Sequence, residues 1–380
     1  MRVLHLISSG GMYGAEVMLL NLAGAQKRLG CEPIVGVFRN KHLPHIEVAE
    51  EARARGLQVE IFNCSGRFNH KPLGAIRNIL RKEDVSLVHG HGYKSNFYGY
   101  FAANALGLPF VATCHLWTAA TPAIRFYEFL DSLLLRRANR VVGVSDAISN
   151  TLRKSGLSAE KVSTIHNGTD FSLCGDASPT LRRELGIGDR MLIGSVGRLE
   201  EQKGFEYFLR AAREVLVEFP NTLFVVVGEG SLRSKLEGLI QEWGLGTSVL
   251  LVGQRNDMPG VYASLDLFVL ASIDEGMPMT ILEALASGNP VIATAVGAVG
   301  KLVIPEKTGL LVEPRDVPAL RDAILRCLGN QSFAQTLGKN GQEHVQTSFS
   351  AQGMARKYME LYEGVLAQQK TKAATSLQEA

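Results

Sequence analysis

Short unbroken apolar runs alternate with longer amphipathic stretches along almost the whole chain. The first half reads "RVLHLI", a glycine loop, a helical pattern from Ala15 to Leu29 closed by Gly30, then "PIVGVF" and a helical stretch to Arg55. "VEIF", another helix, "VSLVHG", the helix "NFYGYFAANALG", "FVATC" and "RVVGVS" continue the rhythm. Apolar runs without alternation are strands buried on both faces, and strands separated by helices pair in parallel under a cover of helices. The pattern predicts a doubly wound α/β domain over residues 1–170. Around 171–190 Ser, Pro, Gly and Asp cluster as they do in linkers. From "MLIGSVG" the rhythm resumes, with helices at 205–219, 231–243 and near 258–264 among the strands "TLFVVVG", "SVLLVG", "LFVLAS", "PVIAT" and "GLLV". A second Rossmann-like domain is expected over 191–353. Three helical patterns close the chain, and the tail "QKTKAATSLQEA", which lacks periodicity, is expected to fray.

Composition leaves this picture standing. A chain of 380 residues exceeds what one hydrophobic core supports, which favours two domains. No apolar run approaches the ~18 residues that would span a bilayer. "MRVLHLISSGGMYG" has one Arg and no small-residue cleavage site, so it reads as a first buried strand rather than a signal peptide. Five scattered cysteines without a Cys-x-x-Cys pair suit reduced thiols in a cytoplasm and neither a disulfide frame nor a zinc site. The sequons at Asn167 and Asn330 are expected to be chance. The net charge of +3 hides an asymmetry: residues 1–170 hold 20 Lys/Arg against 13 Asp/Glu, and 171–380 hold 20 against 24. The first half could lean on something anionic, and an ordinary solvated surface would carry the same excess.

In open α/β sheets ligands bind beyond the carboxyl ends of the strands, so chemistry is sought just after each strand. After the first comes "SSGGMYGAE", where Gly10, Gly11 and Gly14 lead into a helix and let a ligand approach the backbone. A dinucleotide dehydrogenase would place an acid at the end of the second strand; "VFRN" has none, which disfavours an NAD-dependent oxidoreductase. His89 and His91 in "VHGHG" and His115 in "VATCHLW" stand at strand ends, as structural or as functional groups. Arg198 and Lys203 in "GRLEEQKG" can neutralise a diphosphate, the first by a fork of donors and the second as a point charge. No Asp-x-Asp occurs, so a purely cationic diphosphate site is expected, without metal. In "DEGMPMTILEALASG" the expected helix starts near Gly276 and Met277, whose backbone N–H groups would meet phosphate or sugar oxygens. Glu275 would reach a sugar hydroxyl beside them. Glu283, expected deeper, would accept both hydroxyls of a ribose.

Taken together, "GGMYGAE", "VSDAI", "IHNGTD", "GRLEEQKG", "VVGEGSL" and the Glu-x7-Glu stretch ending in "ASGNPVIAT" resemble the retaining glycosyltransferases of family 4, over nearly the whole chain. The resemblance implies the GT-B architecture, two Rossmann-like doubly wound parallel-sheet domains facing a central cleft, with the last helix (354–367) returned to the first domain. It implies that Arg198 and Lys203 bind the donor diphosphate, Glu283 the ribose, and Glu275, Gly276 and Met277 the transferred sugar. His115 would lie near donor sugar and acceptor, Gly11 and Gly14 would close on the diphosphate, and His89 and His91 are acceptor-side candidates.

The activity implied is transfer from a UDP- or GDP-linked sugar to a glycan, lipid-linked or small-molecule acceptor, with retention, in cell-envelope polysaccharide or glycolipid synthesis. No positioned nucleophile stands out, so same-face attack within an ion pair is favoured, the leaving phosphate taking the acceptor's proton. No cofactor, metal or nucleic acid is expected. A cytoplasmic location is expected, with peripheral contact to an anionic membrane as one hypothesis, since "AIRFYEFLDSLLLRR" and "GRFNHKPLG" carry aromatic and basic residues. Competing readings are a nucleotide-sugar-binding protein without transfer activity and a phosphorylase holding pyridoxal phosphate.

Overall fold

The computed structural model of the protein describes residues 1–40, 45–64, 71–115, 122–173 and 177–378. The chain forms two compact units, one of Met1–Gly168 with Ala351–Ala380 and the other of Thr169–Ser350.

The first unit is built on seven strands: β1 Arg2–Ile7, β2 Glu32–Asn40, β3 Gln58–Cys64, β4 Leu87–His91, β5 Phe110–Cys114, β6 Arg140–Gly143 and β7 Val162–Thr164. They pair in parallel in the order β3-β2-β1-β4-β5-β6-β7. Strand order reverses between β1 and β4, which opens a crevice at the carboxyl ends of those two strands. Register sets His5 beside His89 and Ile7 beside His91. Side chains alternate faces along a strand, so His5, His89 and His91 share one face, with Thr113 of β5, the partner of His91. That face is covered by the helices Gly14–Arg28 and Ala351–Gln378, the second of which buries Met354, Ala355, Tyr358, Tyr362 and Val365. The last helix is thus longer than the expected 354–367 and runs on through part of the stretch expected to fray.

The second unit has six parallel strands, β8 Met191–Val196, β9 Thr222–Val227, β10 Val249–Gly253, β11 Leu267–Leu270, β12 Val291–Thr294 and β13 Leu310–Val312. Their order is β10-β9-β8-β11-β12-β13, so the switch lies between β8 and β11. All six residues of β9 are buried, as are all four of β11 and of β12, which is why their sequences run apolar without alternation.

Residues 171–190, expected as a linker, belong instead to this unit. Thr180–Leu185 is a helix with Leu181 fully buried, Thr180 donates to Asp257 at 2.6 Å, and the Leu181 amide donates to Ser264 at 3.1 Å. Small polar residues look alike whether solvated or folded back, and here the Thr180 hydroxyl folds back.

Candidate active site

In the second unit the loops after β8 and β11 flank the switch and are tied to each other. Ile273 donates its amide to the Gln202 carbonyl at 2.7 Å, and the Gln202 side chain returns a bond to the Asp274 carbonyl at 3.2 Å. Between them Lys203 Nζ lies 2.6 Å from Glu275 Oε1, with side chains only 13% and 6% exposed. Ser272 Oγ donates to the same carboxylate oxygen at 2.7 Å. The cation expected on the diphosphate and the acid expected on the sugar are therefore one buried ion pair. Lys203 has three donors and spends one on Glu275, so the ammonium has capacity for further oxygens. Arg198 stands exposed on the same loop, and the Glu200 carboxylate holds Ser231 from the loop after β9 at 2.8 Å.

The helix after β11 starts later than the sequence suggests. It spans Met279–Ala286 with Pro278 as its N-cap, so Gly276 and Met277 lie in the loop before it and not on its first turn. The reason is steric: a residue preceding proline is pushed out of the α region, which bars a helix through Met277. The amides at the helix start are those of Met279, Thr280 and Ile281. Burial of the two acids is also the reverse of the expectation. Glu275 is 7% exposed, whereas Glu283 is half-buried, its carboxylate accepting from Tyr262 Oη at 2.7 Å. Tyr262 supplies the partner that a carboxylate in an apolar run needs.

Backbone packing holds Glu275 in place. Gly297 has φ +53°, and a Cβ there would stand 1.8 Å from the Glu275 carbonyl oxygen. Gly297→Ala is expected to destabilise this unit by about 1–3 kcal/mol from backbone strain, besides displacing Glu275. Urea midpoints should fall in Gly297→Ala and stay unchanged in Gly300→Ala, where a Cβ meets no atom within 4 Å. Equal midpoints in the two variants would remove Gly297 from the site.

In the first unit Ser9 shapes the glycine loop after β1. Its hydroxyl donates to the Gly11 carbonyl at 2.5 Å and accepts from the Gly11 amide at 3.0 Å. Gly11 has φ +144°, and Gly14 opens the helix Gly14–Arg28, where Glu16 accepts from the Tyr13 amide at 3.2 Å. His115 follows β5 directly and is half-buried.

Behind His115 lies a buried network in which His5, Gln26, Tyr358 and Tyr362 join residues read from strand ends. His115 Nε2 is 3.3 Å from His91 Nδ1, His91 Nε2 is 3.2 Å from His5 Nδ1, and His5 Nε2 is 2.8 Å from Gln26 Oε1. A second branch runs from Tyr362 Oη, 2.6 Å from His89 Nδ1, through His89 Nε2, 2.8 Å from Thr113 Oγ1, to Tyr358 Oη at 2.9 Å. His89 and His91, expected on the acceptor side, are 0% and 3% exposed with every ring nitrogen engaged, so their place is in the core of the first unit. Loss of water around them holds His5 and His115 down to about 4 and lowers His89 and His91 well below the ordinary imidazole value. Ring nitrogens of His5, His89 and His91 lie within 4.8 Å of one another, and a metal ion there would have to displace these hydrogen bonds. A lone polar residue in the apolar run of β1 was the one sequence signal for His5.

Residues 12–173 match the family described as Glycosyltransferase Family 4, and residues 177–344 match Glycosyl transferases group 1. The chain is 29% identical to a UDP-Gal:alpha-D-GlcNAc-diphosphoundecaprenol alpha-1,3-galactosyltransferase of Escherichia coli, covering 77% of this chain and 79% of the relative. It is 30% identical to an alpha-D-kanosaminyltransferase of Streptomyces kanamyceticus, over 70% of this chain and 73% of the relative. Among solved structures, Anabaena Alr3699/HepE in complex with UDP and glucose superposes with a TM-score of 0.82 at 24% identity, covering 95% of this chain and 99% of that one. Sucrose-phosphate synthase of Thermosynechococcus elongatus gives 0.79 at 25% identity, covering 96% and 99%. The chain belongs to glycosyltransferase family 4, with the GT-B fold. It is a glycosyltransferase enzyme.

Proposed function

We propose that the chain moves a hexose from a nucleoside-diphosphate sugar, UDP-linked before GDP-linked, to a glycan or lipid-linked acceptor, with retention at the anomeric carbon, in cell-envelope polysaccharide or glycolipid synthesis. The observation that carries this reading is the buried Lys203–Glu275 pair at the switch point of the second sheet, the place where open α/β sheets bind their ligands. The name of the Escherichia coli relative, with its UDP-galactose donor and diphosphoundecaprenol-linked acceptor, supports UDP and a lipid-linked acceptor.

In this reading Lys203 and Arg198 meet the diphosphate and stabilise the charge that grows on it as the glycosidic bond breaks, without a metal. Glu283, steadied by Tyr262, accepts from the ribose hydroxyls; Glu275 accepts from the transferred sugar, to whose oxygens the Gly276 and Met277 amides donate. Gly11 and Gly14 present their loop to the donor, and His115 stands near the reacting sugar. The leaving phosphate takes the proton of the incoming hydroxyl.

A lipid-linked acceptor would bring the enzyme to a membrane surface. No helix among the described residues is long and apolar enough to cross one. Phe97, Phe101, Phe129 and Leu130 stand exposed on the helices Tyr93–Asn104 and Pro122–Leu135. Residues 66–70 of "GRFNHKPLG" and the side chains of 122–127 lie outside the described residues.

Thermal shifts with UDP, GDP, ADP, dTDP and CMP test the donor. Nucleotide at about 100 times its dissociation constant adds about 2.7 kcal/mol, and UDP should give the largest shift. Arg198→Ala and Lys203→Ala should each reduce it. Unchanged affinity in both variants would refute the site.

A further inference from the structure

His115 ends a single file of hydrogen bonds whose other end is an amide oxygen, and this gives the file a direction. With Gln26 Oε1 toward His5, the His5 proton sits on Nε2, 2.8 Å away. A neutral imidazole carries one proton, so His5 Nδ1 is bare and accepts from His91 Nε2 at 3.2 Å. His91 Nδ1 is then bare in turn and accepts from His115 Nε2 at 3.3 Å. The remaining atom, His115 Nδ1, is buried and has no hydrogen-bond partner among the described residues. We propose that Gln26, His5 and His91 are positioning residues that hold the His115 proton on Nε2, so that His115 meets a substrate hydroxyl through a bare Nδ1, as a hydrogen-bond acceptor.

One proton per ring requires all three imidazoles to be neutral, and burial keeps them so: His5 and His115 titrate near 4 and His91 is lowered well below its ordinary value. Of the other titratable groups on this face, His89 and Tyr358 lie on the branch through Thr113, and Tyr362 bonds both His89 and the Gln26 side chain, so the two branches meet at that amide and its Oε1 still faces His5. A tautomer set by the group on the far nitrogen is a general device of functional histidines. Here the setting residue is three rings away, on the helix Gly14–Arg28. The substrate hydroxyl in the proposal rests on the reading of His115 as an active-site residue.

The proton map can be read without substrate, which keeps its failure distinct from failure of the transferase reading. In the full chain labelled with 15N-histidine, long-range ring correlations should show His5, His91 and His115 each protonated on Nε2. A proton on Nδ1 of any of the three overturns the proposal. Gln26→Leu removes the amide acceptor at the end of the file, and a second tautomer should then appear at His5 and His115. Turnover should drop by roughly ten- to a hundredfold, as for a misplaced group, with the donor KM held within about twofold. Unchanged tautomers, or changed tautomers with unchanged turnover, overturn it. Gln26→Glu keeps an acceptor oxygen at the same place and should keep the wild-type tautomers. Should Gln26→Leu fail to fold, loss of those tautomers in Gln26→Glu overturns the proposal equally.

Discussion

Glu275→Ala is expected to lose about 3–5 kcal/mol of stability in the second unit, the cost of leaving a buried charge without its partner. Lys203 is 13% exposed, and its ammonium has Glu275 within 2.6 Å. Ser272 loses its acceptor in the same substitution. Turnover should fall by about a hundred- to a thousandfold, the scale of removing one group that stabilises developing charge. Stability and chemistry separate in the double variant Lys203→Met with Glu275→Leu. Apolar residues of similar volume often replace a buried pair with little loss, so this variant should regain most of the stability and none of the activity. Urea unfolding beside an assay of sugar transfer decides the matter. A Glu275→Ala protein within about 1 kcal/mol of wild type would show that Lys203 finds water or another partner, and that the pair is not the hinge of the site.

Acid should weaken the first unit before the second. The buried imidazoles take up protons only as pH falls toward about 4, whereas in the unfolded chain they do so near 6.5. Between those values the unfolded state holds more protons, so stability is fully present above about pH 7 and declines as pH falls. For His5 alone the loss by about pH 5 is about 2 kcal/mol, and His115, His89 and His91 act with the same sign. Asp131 opposes them, because burial pushes its carboxyl up to about 6 and the folded form then holds the extra proton. Its gain by about pH 5 is about 1.4 kcal/mol, less than His5 and His115 lose together. Hydrogen exchange, corrected for intrinsic rates, should show amides of β1 and β4 losing protection between about pH 7.5 and pH 5, with those of β8 and β11 holding theirs. Asp131→Asn should steepen the decline. Protection in β1 that is flat or rising toward acid would contradict the buried, neutral state of the histidines.

Much of the fold was legible because both sheets are buried on both faces, and such strands announce themselves as apolar runs. Strand-end loops could be found for the same reason, which brought Arg198, Lys203, Glu275 and His115 into view. What escaped was pairing between distant positions. Lys203 and Glu275 are 72 residues apart, and each alone looked like a ligand contact. Tyr362 reaches His89 across 273 positions, and no local pattern marks it. Gln26 on an amphipathic helix looked like any polar residue there. The late helix start was readable from Pro278, since the residue before a proline resists the α region. The segment 171–190 misled because its order comes from the Thr180 hydroxyl on Asp257 and the Leu181 amide on Ser264 and not from periodicity.

Tyr358 and Tyr362 sit at the centre of a unit otherwise made from the first 168 residues. On the ribosome, the amino-terminal sheet emerges with its histidine face covered on the Gly14–Arg28 side alone and waits, on the order of ten seconds or more at ordinary elongation rates, for the helix from Ala351 to arrive. Thr169–Ser350 is contiguous and can fold as it leaves the exit tunnel. Synthesis therefore completes the Thr169–Ser350 unit first, and a message cut short between codons 350 and 358 would yield that unit whole and one that never closes.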